Sequence, residues 1–385
     1  MAHSTSPRQQ FSRLGASWIT VAIFLSGGAA LIKSASLLLA GLYFLWLLGV
    51  ILWSSFGVVH EAEELAERMG EPYGTLVLTL SIVVIEVALI SAVMLGAQQV
   101  PTLGRDTMFA VLMIVLNGVV GLGLLVGGLR YHAQSYNLQG ASGYLAVIIP
   151  LAVIALVLPN ATTTTPAGTL SLVQSAFFSL FTLLLYGLFL WLQTGRHRGF
   201  FTATDESGGV ALPGAQLHAA QVEAEAAEGH AHGPRHPTWV VVLLLFANIL
   251  PVVILAKSLA KLLDLGIATL GAPTALGGII IAMIVFTPEG ISALRAVAAN
   301  QLTRAINLCL GAAASTLGLT VPAVLMIGVL SHRDVVLGLS AANTVLLATT
   351  LVLSNLTFTG TRTTMLEGSV HLTLFFVFLV LVFSP

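Results

Sequence analysis

Two glutamates occupy matching positions within long apolar stretches of the sequence. Glu86 ends a run that begins at Gly74, and Glu289 ends a run that begins at Gly277, so each glutamate follows its glycine by twelve residues. A carboxylate can bind a cation or carry a proton. In lipid a central charge costs at least about 2.5–3.5 kcal/mol, so such a residue usually faces a cavity or a partner. This pair is the first candidate for chemistry.

The remaining acidic residues lie in less demanding places. Of the sixteen Asp and Glu residues, fourteen fall in loops, in a long polar segment or at the ends of apolar stretches. A protonated glutamate that is hydrogen-bonded inside a helix bundle would be the structural alternative for Glu86 or Glu289 alone. Two such residues at equivalent positions favour a shared cation- and proton-binding, or metal-binding, role.

Nearby polar groups are candidates to complete the site. Pro288 precedes Glu289, and its missing amide and its ring predict a helix break that frees the carbonyl of Ile284 as a ligand for a hard cation. A plain kink is the alternative. Asn117, Ser315 and Thr316 lie in the next apolar stretch of each half and are further candidate ligands, although helix–helix hydrogen bonds would also explain them.

The composition indicates that lipid surrounds these residues. The chain is 57% hydrophobic and 8% charged, which leaves too little polar surface for a soluble globule. Since a span needs about 20 apolar residues, we predict an all-α polytopic membrane protein with about eleven transmembrane helices. The expected spans are 16–32, 36–58, 74–96, 107–129, 141–158, 170–193, 238–258, 274–294, 305–328, 334–353 and 368–384.

Basic residues predict the orientation, because Lys and Arg are retained on the cytoplasmic side. Alternate loops divide ten to five, with Arg8, Arg13, Arg68, Arg130, Arg196, Arg198, Arg235, Arg295, Arg304 and Arg362 against Lys33, Arg105, Lys257, Lys261 and Arg333. The N-terminus is therefore expected in the cytoplasm. No removable signal peptide is expected, because no small-residue cleavage site follows the first short apolar core.

One long polar segment divides the chain into an extra N-terminal helix (1–35), a first five-helix unit (36–193), the segment itself (194–237) and a second five-helix unit (238–385). Because five is odd, the second unit would enter the membrane from the opposite side, as in inverted-repeat transporters.

The polar segment has its own candidate role. It contains Glu223, Glu225 and Glu228, which we expect to regulate activity from the cytoplasmic side, near the acidic stretch Glu61–Glu67. It also contains four histidines that could sense transition metals, namely His218, His230, His232 and His236. A solvated linker is the simpler interpretation of the histidines.

Several motifs together resemble the cation/calcium exchanger superfamily, and specifically its bacterial ChaA-like calcium/proton antiporter branch. They are residues 70–79 (GEPYGTLVLT), 85–90 (IEVALI), 288–296 (PEGISALRA), 307–324 (NLCLGAAASTLGLTVPAV) and 360–372 (GTRTTMLEGSVHL). The resemblance implies an eleven-helix fold with two repeats that cross at the membrane centre, and it implies that Glu86 and Glu289 are the paired carboxylates. The Gly-Asn pair that often precedes the repeat glutamate in the family is absent here, which bears on ion selectivity.

The two carboxylates suggest a mechanism by themselves. Desolvation favours the neutral acid, whereas a bound cation stabilises both ionised forms, so cation and protons should exclude each other. We therefore predict a secondary antiporter that exchanges calcium for protons, with a sodium (or potassium)/proton antiporter at the same site as the alternative. A passive channel is less favoured because a deep titratable pair at a helix break indicates coupled transport. An intramembrane metal enzyme is less favoured because no His and carboxylate cluster lies at depth.

The predicted partners follow from this assignment. They are the transported cations and protons and the lipid bilayer, which we expect to be a bacterial inner membrane. No cofactor is expected, and a net charge of −1 without clustered Lys or Arg argues against nucleic acid. The single cysteine, Cys309, lies in an apolar stretch, which excludes an intramolecular disulfide.

Overall fold

The computed structural model describes residues 7–34, 36–70, 73–95, 100–196, 198–201, 237–360 and 362–384. This part of the chain is almost entirely helical. In chain order the helices are α1 (Pro7–Ser34), α2 (Leu37–Met69), α3 (Tyr73–Met94), α4 (Leu103–Tyr131), α5 (Leu138–Asn160), α6 (Leu172–Arg196), α7 (Thr238–Leu270), α8 (Ala275–Ala298), α9 (Leu302–Ser331), α10 (Ala341–Thr357) and α11 (Met365–Phe383).

Several helices contain wider π-helical turns. Those of α4 and α9 lie within the helix, at Met113–Val119 and Thr316–Thr320. Those of α5 and α6 lie near the helix ends, at Val153–Val157 and Leu192–Arg196. Short 3₁₀ turns span Leu158–Asn160 and Arg198–Phe201. π-turns occur mostly as single bulges and often at functional sites.

Nine of the described helices are long and apolar enough to cross a membrane: α2 to α9 and α11. Helix α10 is apolar but has 17 residues. Helix α1 has 28 residues, but its first two turns are polar and include Arg8 and Arg13. The chain is thus an all-α polytopic membrane protein, and the expected number of about eleven spans stays a prediction.

One expected span, 334–353, is displaced in the structure. Helix α10 begins only after Ser340, whose hydroxyl accepts a hydrogen bond from the Asn343 amide and caps the helix. The preceding residues instead bond to neighbouring loops: the Val336 amide donates to the Pro101 carbonyl, and the Leu337 amide donates to the Gly168 carbonyl. The apolar stretch therefore begins as a loop and becomes a helix later than predicted.

The helices with the most buried surface are α4 and α9, each with 67% of its apolar window enclosed by the protein. These two helices therefore lie at the centre of the bundle. Large apolar side chains such as Leu38, Phe181 and Trp239 are exposed on the outer surface, where lipid is the natural solvent.

Small residues let the central helices approach closely. A side-chain carbon at Gly278 of α8 would lie 2.7 Å from the Thr107 amide nitrogen of α4. A carbon at Gly121 of α4 would lie 3.1 Å from the Gly368 carbonyl oxygen of α11. Helix α4 is therefore in close backbone contact with both α8 and α11, as is common in membrane bundles.

The two ends of the bundle differ. At the end where α4 and α8 begin, loops are joined by hydrogen bonds, including Arg105 to the Gly338 carbonyl at 2.9 Å and Arg333 to the Met94 carbonyl at 2.7 Å. At the opposite end, two-residue strands β1 (Gln134–Ser135) and β2 (Arg362–Thr363) pair antiparallel. Hydrogen bonds between loops close the first end, and the second end contains the cavity described below.

Candidate functional site

Glu86 of α3 is sealed inside the protein. Its side chain is 1% exposed, and its Oε2 atom accepts hydrogen bonds from the hydroxyls of Thr316 at 3.1 Å and Thr320 at 2.9 Å. Both threonines belong to the π-helical turn of α9, which aims two hydroxyls four residues apart at one oxygen. The other carboxylate oxygen, Oε1, is buried and has no hydrogen-bond partner among the described residues.

Glu289 of α8 has a different environment. It is partly exposed and lines a cavity of about 650 Å³. Its lining contains hydroxyl groups as well as amide and charged side chains from the start of α9. The polar lining residues are Thr75, Thr79, Ser135, Tyr144, Tyr186, Gln193, Asn300, Gln301, Thr303, Arg304, Asn307 and Ser315.

Glu289 lies within electrostatic range of two other carboxylates. They are Glu86 of α3 and Glu63 of α2. Glu63 in turn lies within range of Arg304, which lines the cavity.

Tyr186 of α6 contributes a group that the sequence analysis missed. Its hydroxyl interacts with the side chains of Thr79 and Ser315, and its ring lines the cavity with Glu289. Gly318 makes room for it, since a side-chain carbon there would lie 2.6 Å from the Tyr186 ring. A tyrosine in an apolar helix resembles ordinary packing in a sequence, so no signal singled it out.

Thr320 was also missed, although Thr316 was predicted. Both lie on the same turn of α9, and only the structure shows that both hydroxyls reach Glu86. The predicted residue Ser315 does line the cavity, and its hydroxyl donates to the Ala312 carbonyl at 3.0 Å. The spacing of polar residues by four within residues 316–320 was the available signal.

Asn117 occupies another environment. It is fully buried, its amide donates to the Thr350 hydroxyl at 2.8 Å, and its oxygen lies 3.0 Å from a ring nitrogen of His371. It does not line the cavity, and it is not one of the hydrogen-bond partners of Glu86. In this conformation it makes the helix–helix hydrogen bonds that were the alternative to an ion ligand.

The predicted helix break at Pro288 is wrong. Helix α8 runs without interruption from Ala275 to Ala298 with Pro288 inside it. A proline removes one backbone hydrogen bond, and the remaining hydrogen bonds and the neighbouring helices of the bundle keep α8 helical. Because Pro288 has no amide hydrogen, the carbonyl of Ile284 lacks the hydrogen bond that a helix normally provides. The role of this carbonyl as a cation ligand stays a prediction.

The proposed regulatory residues Glu223, Glu225 and Glu228 lie outside the described residues, and so do His218, His230, His232 and His236 of the same segment. Within the nearby acidic stretch of α2, Glu61 is fully buried and pairs with Arg13 of α1 at 3.3 Å. Glu61 therefore fastens α1 to α2, and it does not face the solvent with its neighbours.

The chemistry available here is that of oxygen ligands. Two carboxylates and several hydroxyls suit hard cations or protons, and no group of three His, Cys, Asp or Glu side chains that could hold a metal ion occurs within the described ranges. Any cation at this site would thus be held by two carboxylates supplemented by neutral oxygens.

Comparisons with known proteins agree with this fold. The family model described as sodium/calcium exchanger protein matches residues 39–195 and 240–384. The chain belongs to this family. It is an integral membrane ion antiporter, and it is not an enzyme.

Two bacterial relatives cover most of the chain. It is 40% identical over 338 residues to the putative ionic transporter y4hA of Sinorhizobium fredii (strain NBRC 101917 / NGR234). The aligned region covers 88% of this chain and 87% of the relative. It is 38% identical over 334 residues to the sodium-potassium/proton antiporter ChaA of Escherichia coli (strain K12), which covers 87% of both chains.

Solved structures show the same fold at low identity. The structure of native YfkE aligns with a TM-score of 0.70 and 17% identity over 98% of this chain and 100% of that chain. The H⁺/Ca²⁺ exchanger CAX aligns with a TM-score of 0.63 and 15% identity over 97% of this chain and 89% of that chain. At these identities the likeness concerns the fold.

Proposed function

We propose that the protein exchanges calcium for protons across the membrane, with Glu86 and Glu289 as carboxylates that bind the cation and the protons in turn. The observation that carries the proposal is the contrast between the pair. Glu289 is reached through a cavity, and Glu86 is sealed but retains an unpaired oxygen. The two side chains lie within electrostatic range of each other.

Charge balance explains why two carboxylates suffice. The pair is neutral when both acids carry a proton, and it is neutral again when both are ionised around one Ca²⁺. A neutral site avoids most of the free energy needed to move charge through a region of low dielectric constant. Cation and protons compete for the same oxygens, so release of one accompanies binding of the other.

The hydroxyls of Thr316 and Thr320 favour the ionised form of Glu86, because they donate to it. They also fix Oε2, which leaves Oε1 as the oxygen that can take a proton or contact a cation. Ser315 and Tyr186 line the cavity and supply further oxygens.

A sodium- or potassium-for-proton exchange at the same site is the second candidate. The observation that favours it is the 38% identity to a relative named as a sodium-potassium/proton antiporter. The fold of the H⁺/Ca²⁺ exchanger CAX is consistent with calcium, at 15% identity. Both candidates use the same two glutamates and differ in the cation.

We further propose that the chain is built from two inverted five-helix units after one extra N-terminal helix, with a cytoplasmic N-terminus in a bacterial inner membrane. Two features support equivalent units: α2 and α7 have 33 residues each, and α4 and α9 both contain an internal π-turn. Rocking of one helix group against the other would expose the site to each side alternately. The segment 194–237 would modulate this from the cytoplasm.

Purified protein in liposomes tests the function and the ion together. A pH gradient is imposed, and proton flux is recorded while Ca²⁺, Na⁺ or K⁺ is added outside. Calcium/proton exchange predicts flux with Ca²⁺ that excess Na⁺ or K⁺ does not suppress. Flux with Na⁺ or K⁺ alone would favour the second candidate, and cation flux that ignores the pH gradient would indicate a channel.

A further inference from the structure

A buried hydrogen-bond network lies beside α8 and outside the cavity. At its centre is His371 of α11, which is 0% exposed. Its Nδ1 atom lies 3.0 Å from Oδ1 of Asn117, and its Nε2 atom lies 3.0 Å from Oγ1 of Thr357. The Asn117 amide nitrogen continues the network to Thr350 at 2.8 Å. The network joins α4, α10 and α11.

One assignment of hydrogen-bond donors and acceptors is consistent with all of these contacts. The Thr350 hydroxyl donates to the sulfur of Met113, so its oxygen accepts from the Asn117 amide nitrogen. The Asn117 oxygen then faces His371, which requires a proton on Nδ1. The Thr357 hydroxyl lies within hydrogen-bond distance of the other ring nitrogen, and it donates to that nitrogen when the ring is the neutral tautomer with its proton on Nδ1.

The network holds the π-helical turn Met113–Val119 of α4, which includes Asn117. This turn packs on α8 next to the cation site: a side-chain carbon at Gly290, the residue after Glu289, would lie 3.5 Å from Val119. In the other half, the π-turn of α9 contacts Glu86 directly. Each π-turn thus lies against the glutamate helix of the opposite half.

We propose that His371 is a positioning residue of the cation site, which fixes the π-turn of α4 beside Glu289 through its hydrogen bond to Asn117. The proposal rests on the proposed function, because the site that His371 positions is the proposed exchange site. His371 does not line the cavity. It acts through Asn117 and the neighbouring Val119, so its loss should change cation affinity and leave both carboxylates in place.

Histidine suits this position because its two nitrogens point to different helices. Close packing brings the ring there, since a side-chain carbon at Gly121 of α4 would lie 3.0 Å from Cβ of His371. The ring reaches Asn117 of α4 on one side and Thr357 of α10 on the other. A shorter or longer amide side chain can replace one of these contacts but not both.

Two substitutions separate the contacts. The side-chain nitrogen of His371→Asn lies near the position of Nδ1 and can still donate to Asn117, whereas the longer amide of His371→Gln reaches toward Thr357. In Ca²⁺-driven proton flux into liposomes, we expect His371→Gln to raise the half-saturating Ca²⁺ concentration at least fivefold with a maximal rate within twofold of wild type. His371→Asn should stay within twofold in both values.

Thr357→Val is the matched control, because it removes the contact to Nε2 and leaves Asn117 bonded. We expect it to behave like His371→Asn. Asn117→Ala should reproduce the shift of His371→Gln, and the double variant should show little more than either single change, since the two residues act through one bond. Additive effects would overturn the proposal, and so would equal shifts in His371→Asn and His371→Gln.

Amide hydrogen exchange across Met113–Val119 provides a readout that does not depend on transport. Exchange in this turn should be faster in His371→Gln than in His371→Asn, with both proteins eluting as wild type in gel filtration. Equal exchange in the two variants would contradict the positioning role. Failure of the wild-type protein to exchange cations for protons would count against the proposed function alone.

Discussion

At the scale of single residues, the two glutamates differ in their access to the cavity. Glu289 faces the cavity, whereas Glu86 lies behind it with one oxygen held by two threonine hydroxyls. Hydrogen bonds to an ionised group each contribute about 1.5–3 kcal/mol. The threonines should therefore set how readily Glu86 ionises when a cation arrives.

Thr320→Val removes one of these donors and keeps the shape of the side chain. A loss of about 1.4 kcal/mol corresponds to a tenfold change in affinity, so the half-saturating cation concentration should rise about tenfold or more. Thr320→Ser retains the hydroxyl and should remain close to wild type. The measurement is cation-driven proton flux in liposomes at several cation concentrations.

Thr349→Val is the matched control, because the Thr349 hydroxyl bonds only its own helix, at the Val345 carbonyl, and its side chain is exposed. Its flux should equal that of wild type. A wild-type half-saturating concentration in Thr320→Val would show that this hydroxyl does not support the ionised carboxylate.

Depth in the sequence was enough to select the two glutamates, because an apolar stretch of helix length leaves few positions for a charge. Ser315 and Thr316 stood out for the same reason. The direction of a side chain could not be predicted in this way. Asn117 is as deep as Thr316, yet its amide turns toward His371. Tyr186 carried no signal because its ring is apolar and its hydroxyl acts only in the folded bundle.

At the scale of helices, the site depends on close contact between α4, α8 and α11. Glycines permit this contact, and the π-turns of α4 and α9 direct polar groups that a regular helix would place elsewhere. Helix positions were predictable from apolar length. The π-turns were not, since they arise from packing against other helices, and the continuity of α8 through Pro288 has the same origin.

Gly278→Ala should destabilise the α4–α8 contact. The added carbon would lie 2.7 Å from the Thr107 amide nitrogen and 2.8 Å from the Asp106 carbonyl carbon, which are backbone atoms that cannot move aside cheaply. Overpacking of this kind costs about 1–3 kcal/mol. We expect a lower thermal unfolding midpoint in detergent.

Gly187→Ala is the control, because we expect it to leave the thermal unfolding midpoint unchanged or to raise it. Gly187 lies within α6, and a side-chain carbon there would meet no atom within 4 Å. Alanine is favoured over glycine in a helix by up to about 1 kcal/mol, so this variant should unfold at the same or a higher temperature. A midpoint for Gly278→Ala that matched Gly187→Ala would contradict the predicted contact.

The contact between α1 and α2 contains a buried ion pair. Arg13 and Glu61 are 3% and 0% exposed, and Gln10 also donates to Glu61 at 2.8 Å. Arg13→Met leaves Glu61 without its counter-charge, and breaking a buried pair in this way costs roughly 3–5 kcal/mol. We expect a clear drop in the thermal unfolding midpoint in detergent.

The double variant Arg13→Met/Glu61→Met should recover most of the loss, because apolar side chains of similar size replace both charges. If Arg13→Met alone unfolded at the wild-type temperature, the pair would not hold α1 in place. Transport assays on the double variant would then show whether α1 needs the charges for any other purpose.

At the scale of the whole molecule, a cavity opens one end of the bundle, and hydrogen bonds between loops close the other end. The cavity lies at the end where α3, α5 and α9 begin, and the loops at the other end are joined through Arg105 and Arg333. With the predicted cytoplasmic N-terminus, the open end faces the cytoplasm.

Cysteine labelling tests this orientation with little background, since the chain has one cysteine, Cys309, and it is buried. In a Cys309→Ala protein, His132→Cys is exposed at the cavity end and Thr164→Cys is exposed at the other end. A membrane-impermeant maleimide applied to intact cells should label Thr164→Cys and spare His132→Cys. The reverse pattern would invert the proposed topology.

The most direct test of the proposed exchange compares Glu86→Gln, Glu289→Gln and the control Glu64→Gln, which alters a surface carboxylate paired with Arg68 on its own helix. Glutamine keeps the shape of the site but leaves one carboxylate to balance two calcium charges. Cation-driven proton flux in liposomes should fall close to background in both site variants and stay at the wild-type level in the control. Wild-type flux in either Glu86→Gln or Glu289→Gln, with normal membrane insertion, would show that exchange does not take place at this pair.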